Sequence, residues 1–197
     1  MTEEIQATLA EMLGVDQATL PQLRIIQRKP DLFKYKYESN LGAISVEAIT
    51  KFVNDFKEDK LSPYLKSDEA PDIMTNDGLT VVVGDTFDYV VNDDVRDIFV
   101  KYYAPWCSHC MALAPVWSEL AQEVEDIEDL VIAIFDAVGN EAPKVHIEHY
   151  PTFIFYPKDD KSGIVYEGNH DPEEFRKFLY EHSTAYEALR EPVEEID

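Results

Sequence analysis

Two cysteines separated by two residues, Cys107 and Cys110, are the side chains in this sequence best suited to covalent chemistry. They are the only cysteines among the 197 residues, so a framework of structural disulfides is excluded. A bond between them would close too short a loop to add much stability. The spacing therefore indicates either a redox-active dithiol or part of a metal site.

Zinc is the main alternative use of this spacing. A tetrahedral zinc site usually takes four protein ligands, and the sequence offers no second Cys-x-x-Cys pair. His146 and His149 are three residues apart, but we expect both on the exposed face of a short helix. We therefore expect no bound metal and no organic cofactor, with the two sulfurs as the reactive groups.

The elements around the cysteine pair place it between a strand and a helix. The run from Ile98 to Tyr103 is apolar except for Lys101, which predicts a central strand covered on both faces. Pro105 ends this strand. A helix is then predicted over residues 107–125, with a kink at Pro115.

A helix start makes the first sulfur acidic. The first turn has free N–H groups and the positive end of the helix dipole, which lower a thiol pKa from about 8.5 toward neutral. A protonated His109 would add a second positive influence. We predict that Cys107 is the exposed nucleophile, which attacks a substrate disulfide. Cys110, one turn deeper, is then the buried thiol that resolves the mixed disulfide.

The rest of the chain alternates strands and helices. After residue 78 the pattern predicts strands at 79–84, 130–135, 152–156 and 164–166, a short helix at 141–145 and a last helix capped by Asp171. Before residue 61 it predicts a helix at 5–13, strands at 23–26 and 33–37, and a helix capped by Ser45. We expect an incomplete unit, a linker, a complete α/β unit and a disordered acidic tail, at residues 1–61, 62–78, 79–185 and 186–197.

Charge and hydropathy exclude two classes of partner. The net charge is −23, and most of it falls after residue 70. Such a surface repels phosphate backbones, so we expect no nucleic-acid binding. No apolar run approaches the roughly 20 residues that a membrane helix needs, so we expect no membrane insertion.

The segment Tyr-Tyr-Ala-Pro-Trp-Cys-Ser-His-Cys, at residues 102–110, resembles the active-site segment of protein disulfide isomerase. Leu113-Ala114-Pro115 and Tyr150-Pro151-Thr152 extend the resemblance, which spans about residues 72–184. It implies a thioredoxin fold, an α/β architecture with a central mixed β-sheet flanked by helices. It also implies an enzyme that forms, reduces and rearranges disulfides in proteins.

The resemblance assigns roles to individual residues. Cys107 and Cys110 are expected to be catalytic. Modulating roles are expected for Lys101, Trp106, Ser108, His109 and Pro151. Pro151 is expected to follow a cis peptide bond and to lie beside Cys107, and Trp106 to shield the disulfide.

Residues 5–60 resemble the second half of the non-catalytic b-prime domain of the same family. Such a half-domain would leave an unpaired sheet edge and an uncovered apolar face, so we expect a truncated chain or a fragment. The family implies the endoplasmic reticulum lumen, although neither a signal peptide nor a retention signal is visible in the sequence. It implies unfolded or disulfide-containing proteins as substrates, and glutathione or an upstream oxidase as redox partner.

Several positions depart from the family pattern. Lys101 stands where a buried glutamate is usual, and Ile134 replaces that glutamate's lysine partner. Ser108 replaces a glycine, and the loop that usually carries an arginine has His170 instead. We hypothesise that buried Lys101 acts as the base for Cys110 or stabilises its thiolate; alternatively, its stem carries the charge to the surface. Together these changes predict slow reoxidation and slow substrate release.

Two other functions are compatible with the motif. A chaperone-like module would hold unfolded chains on its exposed apolar surface and have only weak redox activity. A plain reducing thioredoxin is disfavoured by His109, because a histidine there stabilises the thiolate and makes the disulfide more oxidising.

Overall fold

The structure is a computed structural model that describes residues 6–7, 9–10, 13–15, 20–28, 33–37, 43–142 and 144–187. The chain divides into two compact units, residues 1–66 and 67–197, so the division falls within the segment predicted as a linker. Of the helix predicted at 5–13, residues 6–7 and 9–10 are helical, whereas residues 5, 8 and 11–12 and the tail beyond residue 187 lie outside the described residues. Among those described, no helix is long and apolar enough to span a membrane.

The N-terminal unit contains a two-stranded antiparallel sheet and one helix in its described part. The strands are β1 (Arg24–Gln27) and β2 (Phe33–Lys36), and the helix is α1 (Val46–Lys57). The Ser45 hydroxyl caps α1 by accepting a hydrogen bond from the amide of Ala48 at 3.2 Å. Phe52 is buried against the edge of Tyr37, with ring centroids 5.5 Å apart. The predicted strands and the predicted cap are confirmed.

The C-terminal unit is built on a six-stranded mixed sheet with the order β3-β4-β6-β5-β7-β8. The strands are β3 (Thr75–Asn76), β4 (Leu79–Val82), β5 (Asp97–Tyr103), β6 (Leu130–Asp136), β7 (Thr152–Tyr156) and β8 (Ile164–Val165). β4, β6 and β5 run parallel, whereas β3, β7 and β8 pair antiparallel with their neighbours. The predicted mixed central sheet is confirmed, but β3 extends it into the last residues of the predicted linker.

The helices of this unit are α2 (Phe87–Val91), α3 (Ser108–Ala112), α4 (Ala114–Glu123), α5 (Pro172–His182) and α6 (Thr184–Glu187), with a 3₁₀ turn at Gly84–Thr86. The helix predicted over 107–125 is therefore two helices separated at Leu113. Pro115 lies in the first turn of α4, where the missing amide hydrogen costs no helical bond. Asp171 caps α5 as predicted, accepting from the amide of Glu174.

Two predictions are wrong at the level of elements. The helix predicted at 141–145 is not formed by residues 141–142 and 144–145. Pro143 contributes no amide hydrogen to a helix there, and Lys144 has a positive φ of 60°. Residues 186–187 belong to α6 rather than to a disordered tail.

One face of the sheet is covered by α4 and α5 through a cluster of aromatic side chains. Trp117 of α4 packs against Phe99 and Phe153, each with a ring centroid 4.9 Å away. Its indole N–H donates a hydrogen bond to the Ala133 carbonyl of β6 at 3.0 Å. Phe175 of α5 completes this cluster. The helix that follows the cysteine pair is therefore fixed to the middle of the sheet.

The opposite face of the sheet packs on α2. Phe87 and Val91 of α2 are buried against Tyr102 and Phe135. The Tyr102 and Tyr156 hydroxyls form a buried hydrogen bond at 2.7 Å. With both faces covered, β5 is buried along nearly its whole length, as its apolar sequence predicts.

Asn140 joins three separate segments near the carboxyl ends of the parallel strands. Its side-chain oxygen accepts hydrogen bonds from the amides of Asp68 at 2.8 Å and Gly84 at 2.9 Å. Its side-chain nitrogen donates to the Asp136 carbonyl at 3.0 Å and to the Asp68 carboxylate at 2.9 Å. Asn140 is only 3% exposed, so water cannot readily replace these bonds.

We expect Asn140→Ala to lower the free energy of unfolding by about 2–3 kcal/mol, because it leaves buried donors and acceptors without partners. Urea denaturation of the oxidised chain measures this loss. The matched control is Asn92→Ala, since exposed Asn92 makes one side-chain bond to Asp88 and its removal should cost within about 0.5 kcal/mol. Equal losses in the two variants would contradict a structural role for Asn140.

Candidate active site

The cysteine pair lies directly after the central strand β5. Ala104 is fully buried, Pro105 and Trp106 form a turn, and Cys107 is the N-cap of α3. The Cys107 amide donates to the Ala104 carbonyl at 3.0 Å. Cys107 and Cys110 are joined by a disulfide, with their Cα atoms 5.2 Å apart. The strand-to-helix position predicted for the pair is therefore confirmed.

The two sulfurs have different surroundings. The Cys107 Sγ accepts a hydrogen bond from the Cys110 amide at 3.1 Å, an interaction that favours negative charge on this sulfur once the disulfide is reduced. Cys107 is 8% exposed and Cys110 is 2% exposed. Cys107 is thus the more accessible of the two, as predicted, but it is buried in the oxidised chain rather than exposed.

The Tyr150–Pro151 peptide bond is cis, as the resemblance predicts. Tyr150 packs against the cluster formed by Ala104, Cys107 and Cys110. Its ring also meets Trp106 edge-on, with centroids 5.8 Å apart. Trp106 is 71% exposed, so one side of its indole rests on Tyr150 while much of the ring faces solvent. In the sequence, Tyr150 stands out only as part of the Tyr150-Pro151-Thr152 motif, and nothing there predicts its contact with Trp106.

Two histidines lie close together beside the disulfide. The rings of His109 and His170 have centroids 5.4 Å apart. His170 is half-buried: its ring stacks on that of Phe175 with centroids 6.3 Å apart and is tilted against that of Phe153 with centroids 4.9 Å apart. Burial lowers the pKa of His170, and His109 and His149 lower it further. His170 is therefore predominantly neutral at neutral pH and does not supply the positive charge of an arginine.

Lys101 does not reach the surface. It is 4% exposed, between Ile134 of β6 and Phe153 of β7 in the sheet register. Its ammonium donates a hydrogen bond to the Cys110 carbonyl at 3.3 Å. Burial lowers the pKa of Lys101 to about 8. The hypothesis that its stem carries the charge to the surface is therefore wrong.

A pocket of about 210 Å³ opens beside the disulfide and is lined by both Lys101 and Cys110. The other residues considered as metal ligands, His146 and His149, do not line this pocket. His146 and His149 are exposed, and the nearest carboxylate to His146 is that of Glu148 at 3.9 Å. Within the described ranges, no three His, Cys, Asp or Glu side chains are grouped to hold a metal ion.

Comparison with known proteins matches residues 78–181 to the thioredoxin family. Protein disulfide-isomerase of Drosophila melanogaster is 34% identical over 195 residues, which cover 99% of this chain and 38% of that protein. The rabbit (Oryctolagus cuniculus) protein disulfide-isomerase is 35% identical over 172 residues, 87% of this chain and 33% of that protein. Protein disulfide isomerase-like 1-4 of Arabidopsis thaliana is 36% identical over 193 residues, 97% of this chain and 32% of that protein. This chain therefore spans only 32–38% of the length of these relatives.

We expect Lys101→Met to stabilise the oxidised protein by about 1–2 kcal/mol near pH 6–7, because the folded state no longer buries an ammonium. Below about pH 8 the lysine is protonated in both folded and unfolded states, and its burial cost is fully present. Between about pH 8 and its ordinary pKa of 10.5, the unfolded state binds a proton that the folded state has lost, so wild-type stability rises with pH. The advantage of the variant should therefore shrink across that window.

Urea denaturation from pH 6 to pH 10.5 measures this change. Lys177→Met is the matched control, since Lys177 is exposed on α5 and the same substitution there removes the same charge. A Lys101→Met advantage that is absent at pH 6, or that does not vary with pH, would contradict a buried ammonium.

Proposed function

This chain belongs to the thioredoxin family, and we propose that it catalyses thiol–disulfide exchange in protein substrates, in the manner of a protein disulfide isomerase. The strongest support is the position of the two sulfurs. Cys107 and Cys110 form a disulfide at the start of α3, with Cys107 the more accessible. The names of the relatives support disulfide isomerase activity.

In the reductive direction, the Cys107 thiolate attacks one sulfur of a substrate disulfide. A bond forms between Cys107 and that sulfur, and the second substrate sulfur leaves as a thiolate, which takes up a proton. Cys110, deprotonated, then attacks the Cys107 sulfur. The mixed disulfide breaks, and the substrate leaves with two thiols. The substrate has been reduced by two electrons, and the protein has been oxidised to the Cys107–Cys110 disulfide.

The oxidative direction runs these steps backward. A substrate thiolate attacks Cys107, Cys110 leaves as the thiolate, and a second substrate thiol completes the new disulfide while the protein becomes a dithiol. Rearrangement needs no net redox change, because a second substrate thiol displaces Cys107 from the mixed disulfide. No metal or organic cofactor enters any step.

Lys101 is proposed to assist Cys110. Its ammonium lies at the Cys110 carbonyl, in a pocket that both residues line. A positive charge this close favours the Cys110 thiolate. With a pKa near 8, Lys101 can also release and accept a proton near neutral pH, as a base for the resolving thiol requires.

The neighbouring residues are proposed to tune the exchange. His109 and exposed Ser108 lie between the two cysteines in the sequence and influence the stability of the thiolate. Trp106 and the cis Pro151 segment, joined through Tyr150, form the surface on which a substrate chain meets Cys107. Because neutral His170 replaces an arginine in the adjacent loop, we propose that reoxidation and substrate release are slow.

The cellular setting is proposed from family membership. Disulfides persist in the endoplasmic reticulum lumen, and we propose that the chain acts there. Its substrates would be unfolded or disulfide-containing proteins. Reoxidation of the dithiol would use glutathione disulfide or an upstream oxidase as electron acceptor.

We expect Cys107→Ala and Cys110→Ala each to lower insulin reduction by at least about 100-fold, since the exchange needs both sulfurs. Incubated with a disulfide substrate, reduced Cys110→Ala should accumulate a mixed disulfide through Cys107, visible by non-reducing electrophoresis and mass spectrometry. Cys107→Ala should accumulate far less, because its remaining thiol is buried. Full activity in both variants would exclude the enzyme, and suppression of substrate aggregation by them would favour the chaperone-like module.

We expect Lys101→Met to raise the pKa of the reduced Cys110 thiol by about one unit or more, because a nearby positive charge stabilises the thiolate. The measurement is an NMR titration of ¹³Cβ-labelled Cys110 in a Cys107→Ser background, which removes coupling to the first sulfur. Lys177→Met in the same background controls for loss of net charge. An unchanged Cys110 pKa would rule out a role for Lys101 in the exchange.

A further inference from the structure

We propose that the pocket beside Cys110 binds a small carboxylate with an apolar body, and that Lys101 pairs with the carboxylate group. The pocket occupies about 210 Å³ between the sheet and the helices α3 and α4. Binding itself does not depend on the proposed enzymatic function. Only its expected effect on turnover rests on that function.

The pocket suits a small apolar molecule. Its floor is formed by buried Trp117 with Leu79 and Ile134 of the sheet, and its mouth by exposed Met111 and Ala114. A dry cavity of about 150 Å³ in another protein accommodates benzene. The larger volume here leaves room for a benzene-sized body together with a charged group.

The charge of the ligand follows from Lys101. It is the one charged side chain among the residues described as lining the pocket, and it is more than nine-tenths buried. An ammonium has three donor hydrogens, and here a single hydrogen bond is made, to the Cys110 carbonyl at 3.3 Å. In the described part of the chain no carboxylate pairs with Lys101. Buried charges in proteins are normally paired, so an anion entering the pocket would supply the missing partner.

A singly charged carboxylate fits better than a phosphate. One ammonium neutralises one negative charge, and the pocket's other side-chain donors are two hydroxyls, those of Tyr103 and Ser118, and the Trp117 indole, which already donates to Ala133. A doubly charged group would stay partly uncompensated in apolar surroundings. The chain's net charge of −23 also disfavours anions at its surface, so an anion should bind only where an internal cation meets it.

A carboxylate bound in the pocket would also affect Cys110, the resolving thiol. A carboxylate on Lys101 neutralises the charge next to Cys110 and holds the lysine in its protonated form. Lys101 could then neither favour the Cys110 thiolate nor accept its proton. Given the proposed function, the ligand should therefore slow release of the mixed disulfide and leave attack by Cys107 unchanged.

The direct test is an NMR titration of the oxidised chain with phenylacetate and with phenylacetamide. The amide has nearly the same shape and lacks the charge. We expect phenylacetate to shift the Trp117 indole N–H and the Ile134 methyl resonances, and to bind at least tenfold more tightly than the amide. Equal affinity of the two compounds, or no response of these resonances to phenylacetate, would overturn the proposal.

Variants locate the site. Lys101→Met should weaken phenylacetate binding at least tenfold, whereas Lys177→Met, an identical substitution on the surface of α5, should leave it unchanged. Ala114→Phe, which fills the mouth and retains Lys101, should weaken it as well. Binding by Lys101→Met with wild-type affinity would overturn the proposal, as would loss of binding in Lys177→Met alone.

The effect of phenylacetate on the rate of insulin reduction tests the proposal separately from the binding measurement. Phenylacetate should slow insulin reduction by the wild-type protein and should have at least tenfold less effect on Ala114→Phe at the same concentration. Binding without any slowing would support the site and overturn the proposed role of Lys101 in resolution. Absence of binding in a chain that reduces insulin would overturn the site and leave the thiol chemistry in place.

Discussion

The packing of Trp117 against the central strands is the interaction on which the geometry of the site depends. Its ring lies against Phe99 and Phe153, and its indole hydrogen bond to Ala133 fixes the height of α4 on the sheet. Because only Leu113 separates α4 from α3, that anchor also positions the helix that Cys107 caps. The same indole forms the floor of the pocket beside Cys110. The contacts of this one side chain thus position the disulfide and the pocket relative to the sheet.

A buried ammonium in a central strand lowers the free energy of unfolding, and the groups around Lys101 offset little of this loss. β5 is covered on both faces, and Lys101 has Ile134 and Phe153 beside it rather than a carboxylate. Its one hydrogen bond, to the Cys110 carbonyl, directs the charge toward the end of the strand where the cysteines lie. Burial of Lys101 therefore reduces stability at a position where a group that exchanges protons is useful for the proposed reaction.

The elements that could be predicted from sequence are those with strong local signals. β5, β6 and β7 are apolar along most of their length, and Ser45 and Asp171 are standard capping residues, so these positions can be predicted without knowledge of the fold. The strand-to-helix position of the cysteine pair followed from Pro105 and the motif itself. The helix expected at 141–145 contains Pro143, and a proline disfavours the interior of a helix.

What could not be predicted depends on contacts between residues far apart in the chain. Whether Lys101 is buried depends on the helices and strands that cover β5, and the sequence left both possibilities open. Asn140 bonds to a residue 72 positions away, and nothing in its local sequence marks it. The position of His170 is visible in the sequence, but its lowered pKa arises from burial beside Phe153 and Phe175 and from the nearby His109 and His149.

The sheet ends on both sides in strands of two residues, β3 and β8. Edge strands this short offer few free backbone N–H and C=O groups with which another extended chain could pair. For a protein proposed to handle unfolded polypeptides, this limits the chance that a client adheres by adding itself to the sheet and co-precipitates. The C-terminal unit can therefore bind unfolded, aggregation-prone chains repeatedly, with contacts that are short-lived and concentrated around the two sulfurs.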